Sequence, residues 1–345
     1  MRSSRILMIG GLALATVLAM TACSGGGSSG TGSSAPATAL SGPEQEWYDA
    51  AKGEEPIRFY TSQHPSSMDA VIAAFEQKYP GVQVEGLRLT SGALGTRYAQ
   101  EKDAGTRTAD VIAVGDTRFV LDGLAKGYFE TFDKDEMPAT AQLEDQYFND
   151  GVSTAVVTPY GICYNTQTVT DAPTEWEDIL NPDYDGRIIF PEFRNSSLYV
   201  YTGQLWIDAY GEDFLERLAA LHPVKADSMV PGLQSVANGQ ADVAAPCGVD
   251  SANELISAGA PIEVAFPDNA IAIPNEMAIT AGTPSPNASR LFYSFMLSDE
   301  GQQAFGGESA SSVIGTPGLI PLGPDFVFPD VDRYQETFDI MAEHF

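Results

Sequence analysis

The two carboxylates with the most telling placement are Asp116 and Asp250. Each lies just past a run of small apolar residues. The first run is Ala-Asp-Val-Ile-Ala-Val-Gly-Asp, ending at Asp116; the second is Ala-Asp-Val-Ala-Ala-Pro-Cys-Gly-Val-Asp, ending at Asp250. Each follows a helically spaced segment and a glycine stop, Gly105 or Gly239. Each therefore reads as a buried strand with a carboxylate at its carboxyl end, where open α/β sheets bind their ligands. Two such ends predict two α/β lobes facing one cleft. Asn195-Ser196-Ser197, with Arg194 before it, follows Phe190-Pro191. Hydroxyls at a helix N-terminus make an anion site, though serines there also serve as ordinary N-caps. Catalytic chemistry finds no support. The chain has three histidines, no phosphate loop of the P-loop type and no His-Glu-x-x-His, and Gly92-Ala93-Leu94-Gly95 is not a dinucleotide fingerprint. It is expected not to be an enzyme and to need no cofactor.

The elements that must hold these residues alternate strand and helix. Ile57–Tyr60 reads as a first strand and Thr61–Pro65 as the loop after it. Met68, Val71, Ile72, Phe75 and Tyr79 share one helical face, with Ser66 as a possible cap and Pro80-Gly81 as the stop. A second strand runs from Val82 to about Leu89, and Thr90-Ser91-Gly92 opens a second helix with Leu94 and Tyr98 on one face. The strand before Asp116 follows, so the order is β-α-β-α-β, the pattern of a parallel, doubly wound sheet.

The N-terminus bears on location. Arg2 and Arg5 precede an apolar run from Ile6 to Met20. That run falls short of the ~20 residues that span a bilayer as a helix and has the shape of a signal peptide core. It ends in Met20-Thr21-Ala22-Cys23, similar to a bacterial lipobox, so residues 1–22 are expected to be removed and Cys23 lipidated. Ser24 to Leu40 is almost all Ser, Gly, Thr, Ala and Pro, a flexible tether, and the tether region is taken as 23–45. The expected place is the outer face of the bacterial cytoplasmic membrane. A formal charge of −29 argues against nucleic acid as a partner. Beyond Cys23 only Cys163 and Cys247 remain, and in an oxidising compartment two cysteines suggest one disulfide.

Three further blocks carry a family likeness. Residues 154–169, with Pro173–Leu180 and Tyr184–Ile188 after them, resemble the extracellular solute-binding proteins of ABC importers; so do Phe75–Val82 and Leu297–Gln303. The resemblance implies a type II periplasmic-binding-protein fold: two doubly wound α/β lobes joined by crossing hinge strands, near 155–162 and 273–281. Lobe 1 would comprise 46–157 and 274–305, lobe 2 158–273, and a C-terminal segment 306–345 would end in a helix packed on lobe 2. It also implies a monomer that delivers a small solute to an ABC permease, with delivery to a sensory partner as the alternative.

Within this superfamily the ferric-ion-binding branch is similar at Tyr60–His64, where the branch has an iron-ligating His, and at Asn195–Ser197, its anion loop. The branch's adjacent tyrosines are missing; their positions fall at about Val249-Asp250. Were iron the ligand, His64, Asp116 and Asp250 would hold it. Otherwise a phosphate- or carboxylate-bearing organic anion would sit at Ser196 and Ser197. The full ligand-binding set expected is Ser62, His64, Thr90, Ser91, Gly92, Asp116, Tyr160, Arg194, Asn195, Ser196, Ser197, Asp250 and Asn275.

Overall fold

The structure is a computed structural model that describes residues 42–322 and 326–345. The expected signal peptide, Cys23 and nearly all of the expected tether lie outside the described residues. Residues 43–45, assigned above to the tether, are instead the first turn of α1 (Pro43–Ala51). Pro43 suits the first turn of a helix, and the Glu44 carboxylate accepts from Ser294 Oγ on the helix Pro286–Met296, so this turn is tied to the folded body.

Lobe 1 begins with β1 (Ile57–Thr61), α2 (Pro65–Lys78), β2 (Val84–Arg88), α3 (Ser91–Asp103), β3 (Val111–Val114) and α4 (Thr117–Ala125). β1 pairs in parallel with both β2 and β3. Val71 and Phe75 of α2 are fully buried, as the spacing predicts. The cap of α2 differs from expectation: His64, not Ser66, is the N-cap, and its Nδ1 accepts the Ser66 N–H. Pro65 takes the first helical position, which moves the start two residues earlier than Ser66 would place it.

After the short β4 (Phe148–Asn149) the chain crosses on β5 (Val152–Asn165). Lobe 2 contains β6 (Ile188–Ile189), α5 (Ser197–Tyr210), α6 (Asp213–Ala220), α7 (Met229–Ala237), β7 (Val243–Cys247), α8 (Val249–Ser257) and β8 (Ile262–Ala265). The return strand is β9 (Ile271–Ile279), antiparallel to β5 over residues 271–277 and to β3 over residues 276–279. α9 (Pro286–Met296), α10 (Asp299–Gly306) and β10 (Ser311–Ser312) pack on lobe 1 and the crossing, and α11 (Tyr334–His344) closes the chain. The main path through the sheet is β2-β1-β3-β9-β5-β7-β6.

The two lobes have separate cores. Lobe 1 is built round Phe59, Phe75 and Phe292, with ring centroids 5.0 Å apart in both the Phe59–Phe292 and Phe75–Phe292 pairs. Lobe 2 is built round Trp176 and Trp206, edge to face at 5.7 Å. Met341 of α11 is fully buried against Gly203 of α5, so the final helix rests on lobe 2. Cys163 on β5 and Cys247 at the end of β7 are joined in a disulfide, with Cα atoms 5.6 Å apart.

Candidate ligand-binding cleft

The two echoed strands end at equivalent places in opposite lobes, β3 before Asp116 and β7 before Asp250. Gly105 and Gly239, at φ +65° and +69°, stop the helices that precede them, a backbone conformation open to glycine at little cost. Between the lobes lies a cavity of about 80 Å³. The amino ends of four helices face it: α3 through Thr90 and Ser91, α5 through Ser196, α7 through Ser228 and Met229, and α8 through Asp250 and Ser251. None of these four has a side-chain cap hydrogen bond. Helix amino ends carry partial positive charge and N–H donors, which favour negative charge in the cavity; at α8 the Asp250 carboxylate already accepts one of these donors, the Ser251 N–H.

Arg88, the last residue of β2, supplies a full charge to the same cavity. Its Nε donates to the Gln63 carbonyl at 3.3 Å, which orients the guanidinium. Among the described residues neither Nη atom has a hydrogen-bond partner and Arg88 makes no salt bridge, so the fork is free to take an anion two-pronged. The floor comes from the crossing strands. Gln63 and Asn275 both donate to Thr158 Oγ1, at 2.9 and 3.0 Å. Ser62 lines the wall, its Oγ accepting the Gly115 N–H at 3.0 Å. Two aromatic walls complete the space. Burial, together with the Asp250 carboxylate nearby, holds the Tyr160 phenol well above its ordinary range, and burial pushes the Tyr199 phenol up to about 12. Both are neutral hydroxyl donors at physiological pH. Burial likewise raises Asp250, against the Ser251 N–H and hydroxyl that hold its ionised form.

Of the expected residues, Ser62, Thr90, Ser91, Tyr160, Ser196, Asp250 and Asn275 line this cavity. The others stand elsewhere. Asp116 caps α4, accepting from the Phe119 N–H at 3.1 Å, and burial raises its carboxyl. With Gly92, Arg194 and Ser197 it borders an adjoining hollow of about 260 Å³. Arg194 is exposed and drawn off to Glu192, its guanidinium lying 4.2 Å from the Phe193 ring centre. Asn195 donates to the Asp227 carbonyl, and Ser197 donates across the cleft to the Gly115 carbonyl at 3.0 Å. Ser91 and Ser196 also meet across the lobes, Oγ to Oγ at 3.0 Å.

The proposed iron set of His64, Asp116 and Asp250 is not assembled. Among the described residues no three His, Cys, Asp or Glu side chains stand together as metal ligands. The reason is local: His64 and Asp116 each close a helix N-terminus, and a ring nitrogen or carboxylate used as a cap points along its own helix. Replacing His64 by Ala is expected to lower stability by about 1 kcal/mol, the value of a helix cap, and to leave anion affinity within about twofold. Chemical denaturation and calorimetry on the same variant check both halves.

Arg88, Gln63, Tyr199, Ser228 and Ser251 were not singled out from sequence. For Arg88 the signal was present: a lone cation at a strand's carboxyl end, two residues before a helix start. For the others it was absent, because a hydroxyl at a helix start has no feature that tells a ligand from a cap.

Two α/β lobes joined by crossing strands, with a polar cavity between them, define the class: a two-lobed solute-binding protein. Residues 106–322, more than half the chain, match the family of bacterial extracellular solute-binding proteins, and the chain belongs to that family. It accordingly acts outside the cytoplasm. No curated protein sequence matches. Among solved structures, the substrate-binding protein of an ABC transporter from Agrobacterium tumefaciens superposes with a TM-score of 0.74 at 15% identity, covering 85% of this chain and 94% of that one. AfuA from Actinobacillus pleuropneumoniae, with exogenous fructose-6-phosphate bound, gives 0.70 at 21% identity, covering 84% and 97%. Iron-bound HitA from Pseudomonas aeruginosa gives 0.68 at 19% identity, covering 84% and 98%. At these identities the likeness establishes the shared type II periplasmic-binding-protein fold.

Proposed function

We propose that this protein captures an organic anion bearing a phosphate or carboxylate group and delivers it to an ABC permease. The observation that carries this reading is the convergence of Arg88 with the amino ends of α3, α5 and α7, none closed by an N-cap side chain, on one cavity. A cavity of about 80 Å³ suits the anionic head group alone. The body of the ligand would extend past Ser91 and Ser196, which border both spaces, into the adjoining hollow. The lobes would part about β5 and β9 to admit it, a hinge motion usual for two-lobed receptors. A ferric ion fits less well, because the cavity presents a guanidinium and N–H donors and only one carboxylate, Asp250.

The test is calorimetry of the purified protein with inorganic phosphate, fructose 6-phosphate, citrate and ferric citrate. Binding of a phosphorylated or carboxylated probe without iron is expected. Heat seen only with ferric citrate, and none with citrate, would overturn the reading.

Cys23 is proposed as the membrane anchor, on the strength of the short apolar run and Met20-Thr21-Ala22-Cys23. Diacylation supplies two chains, and two are needed for stable anchoring. A Cys23→Ala variant should leave the membrane fraction or remain unprocessed; a processed variant still held at the membrane would rule the anchor out.

A further inference from the structure

β9 turns successive side chains to opposite faces of the sheet, so Asn275 and Glu276 look into different spaces. Asn275 lines the ligand cavity. Glu276 lines a second cavity, of about 170 Å³, on the other side of the strand. Its carboxylate accepts from Thr117 Oγ1 at 3.2 Å and from Thr154 Oγ1 at 3.1 Å. Among the described residues no Lys, Arg or His pairs with it, and burial pushes its carboxyl above the usual range. A carboxylate sunk with two neutral donors and no counter-charge is strongly disposed toward a cation.

The walls say which kind. Val120 and Val152 are buried at the back, and Leu121 is exposed at the mouth. Phe148 and Tyr147 stand beside them. A hard metal ion is usually held by several carboxylates, and among the described residues Glu276 is the one carboxylate on this cavity, whose other oxygens are the neutral ones of Thr117, Gln146, Tyr147, Asn149 and Thr154. An alkylated nitrogen places its charge on the carboxylate and its carbons on the apolar wall. The acidic chain, at −29, also gathers cations near its surface.

We propose that the cavity behind β9 is a second binding site, taking a small organic ammonium ion whose nitrogen pairs with Glu276 and whose alkyl part lies against Val120, Leu121 and Val152. The site stands at the hinge, where the β5–β9 register shifts between Thr154 and Val156. It is independent of the nature of the anion in the cleft.

The probe is n-butylammonium chloride, titrated into the purified protein by calorimetry at pH 8, with 1-butanol and matched NaCl as controls. Saturable binding is expected for butylammonium, with neither control producing it. Glu276→Gln removes the charge with little change in shape and should weaken binding about 10-fold or more, as losing a charge-assisted hydrogen bond does. Should that variant fail to fold, Leu121→Lys serves instead. Leu121 is 36% exposed, and a lysine there would place its own ammonium at the mouth and exclude the probe. No saturable binding, equal binding of butanol, or wild-type affinity in whichever variant folds would each overturn the proposal.

Discussion

Replacing Arg88 by Met is expected to abolish most anion affinity while leaving the fold intact. Among the described residues Arg88 is the one Lys or Arg on the cleft cavity, which also holds one carboxylate, Asp250. Helix amino ends contribute partial charges; the guanidinium contributes a whole one, with two Nη atoms unpaired among the described residues. Losing such a charge-assisted hydrogen bond costs roughly 1.5–3 kcal/mol, or about 10- to 150-fold in affinity. A two-pronged contact puts the effect toward the upper end. Methionine keeps much of the stem packed, so a change in folding is not expected to account for the loss. Calorimetry with the best probe, beside thermal denaturation of the same variant, measures both. Affinity within about threefold of the parent would remove Arg88 from the site. By contrast Ser197→Ala should act less on the anion than on closure, since that hydroxyl is spent on the Gly115 carbonyl.

The second large effect is expected from the disulfide. Cys163 and Cys247 are separated by 84 positions in sequence, and both are fully buried. A cross-link that closes so long a loop restricts the unfolded chain strongly, and removing a native bridge typically costs about 2–5 kcal/mol. For a body of this size that corresponds to a fall of roughly 4–10 °C in melting temperature. The bridge has a local consequence too. Cys247 directly precedes Gly248, the N-cap of α8, and the first turn of α8 carries Asp250 and Ser251 into the cavity. The Cys163→Ser/Cys247→Ser variant should therefore lose stability and also bind the anion more weakly. Differential scanning calorimetry and titration of the double variant test this. An unchanged melting temperature would show that the bridge contributes nothing to stability.

The sequence by itself determined the parts whose signals are local and periodic. α2 was legible from Val71 and Phe75 at helical spacing, and the paired strands before Asp116 and Asp250 from their small apolar runs and glycine stops. The likeness between those runs even showed that two lobes would present matching ends. The family blocks gave the crossing strands to within a few residues. Part of the cavity lining was legible as well: Thr90, Ser91 and Ser196 sit at helix starts, where backbone N–H groups that every residue type supplies favour negative charge.

Only the tertiary structure decided which polar groups face the ligand and which are absorbed in holding the chain. Asp116 and Asp250 have similar contexts, yet one caps α4 and the other opens onto the cavity. The difference is where each helix begins: Asp116 precedes α4 as its N-cap, whereas Asp250 is the second residue of α8, after the N-cap Gly248. His64 resembled a metal ligand because a loop histidine and a capping histidine are the same residue in the same string. Its role follows from Pro65 fixing the first turn of α2 and turning the ring onto the Ser66 N–H. Arg194 and Arg88 show the reverse case. Both are cations beside a helix start, but Glu192 lies within reach of Arg194, while no carboxylate pairs with Arg88 among the described residues. Charge and residue type are carried in the sequence; the presence or absence of a counter-charge is a matter of distances across the fold. That is why the family and the helix starts that line the cavity could be read from the chain, and the unpaired guanidinium of Arg88 beside them could not.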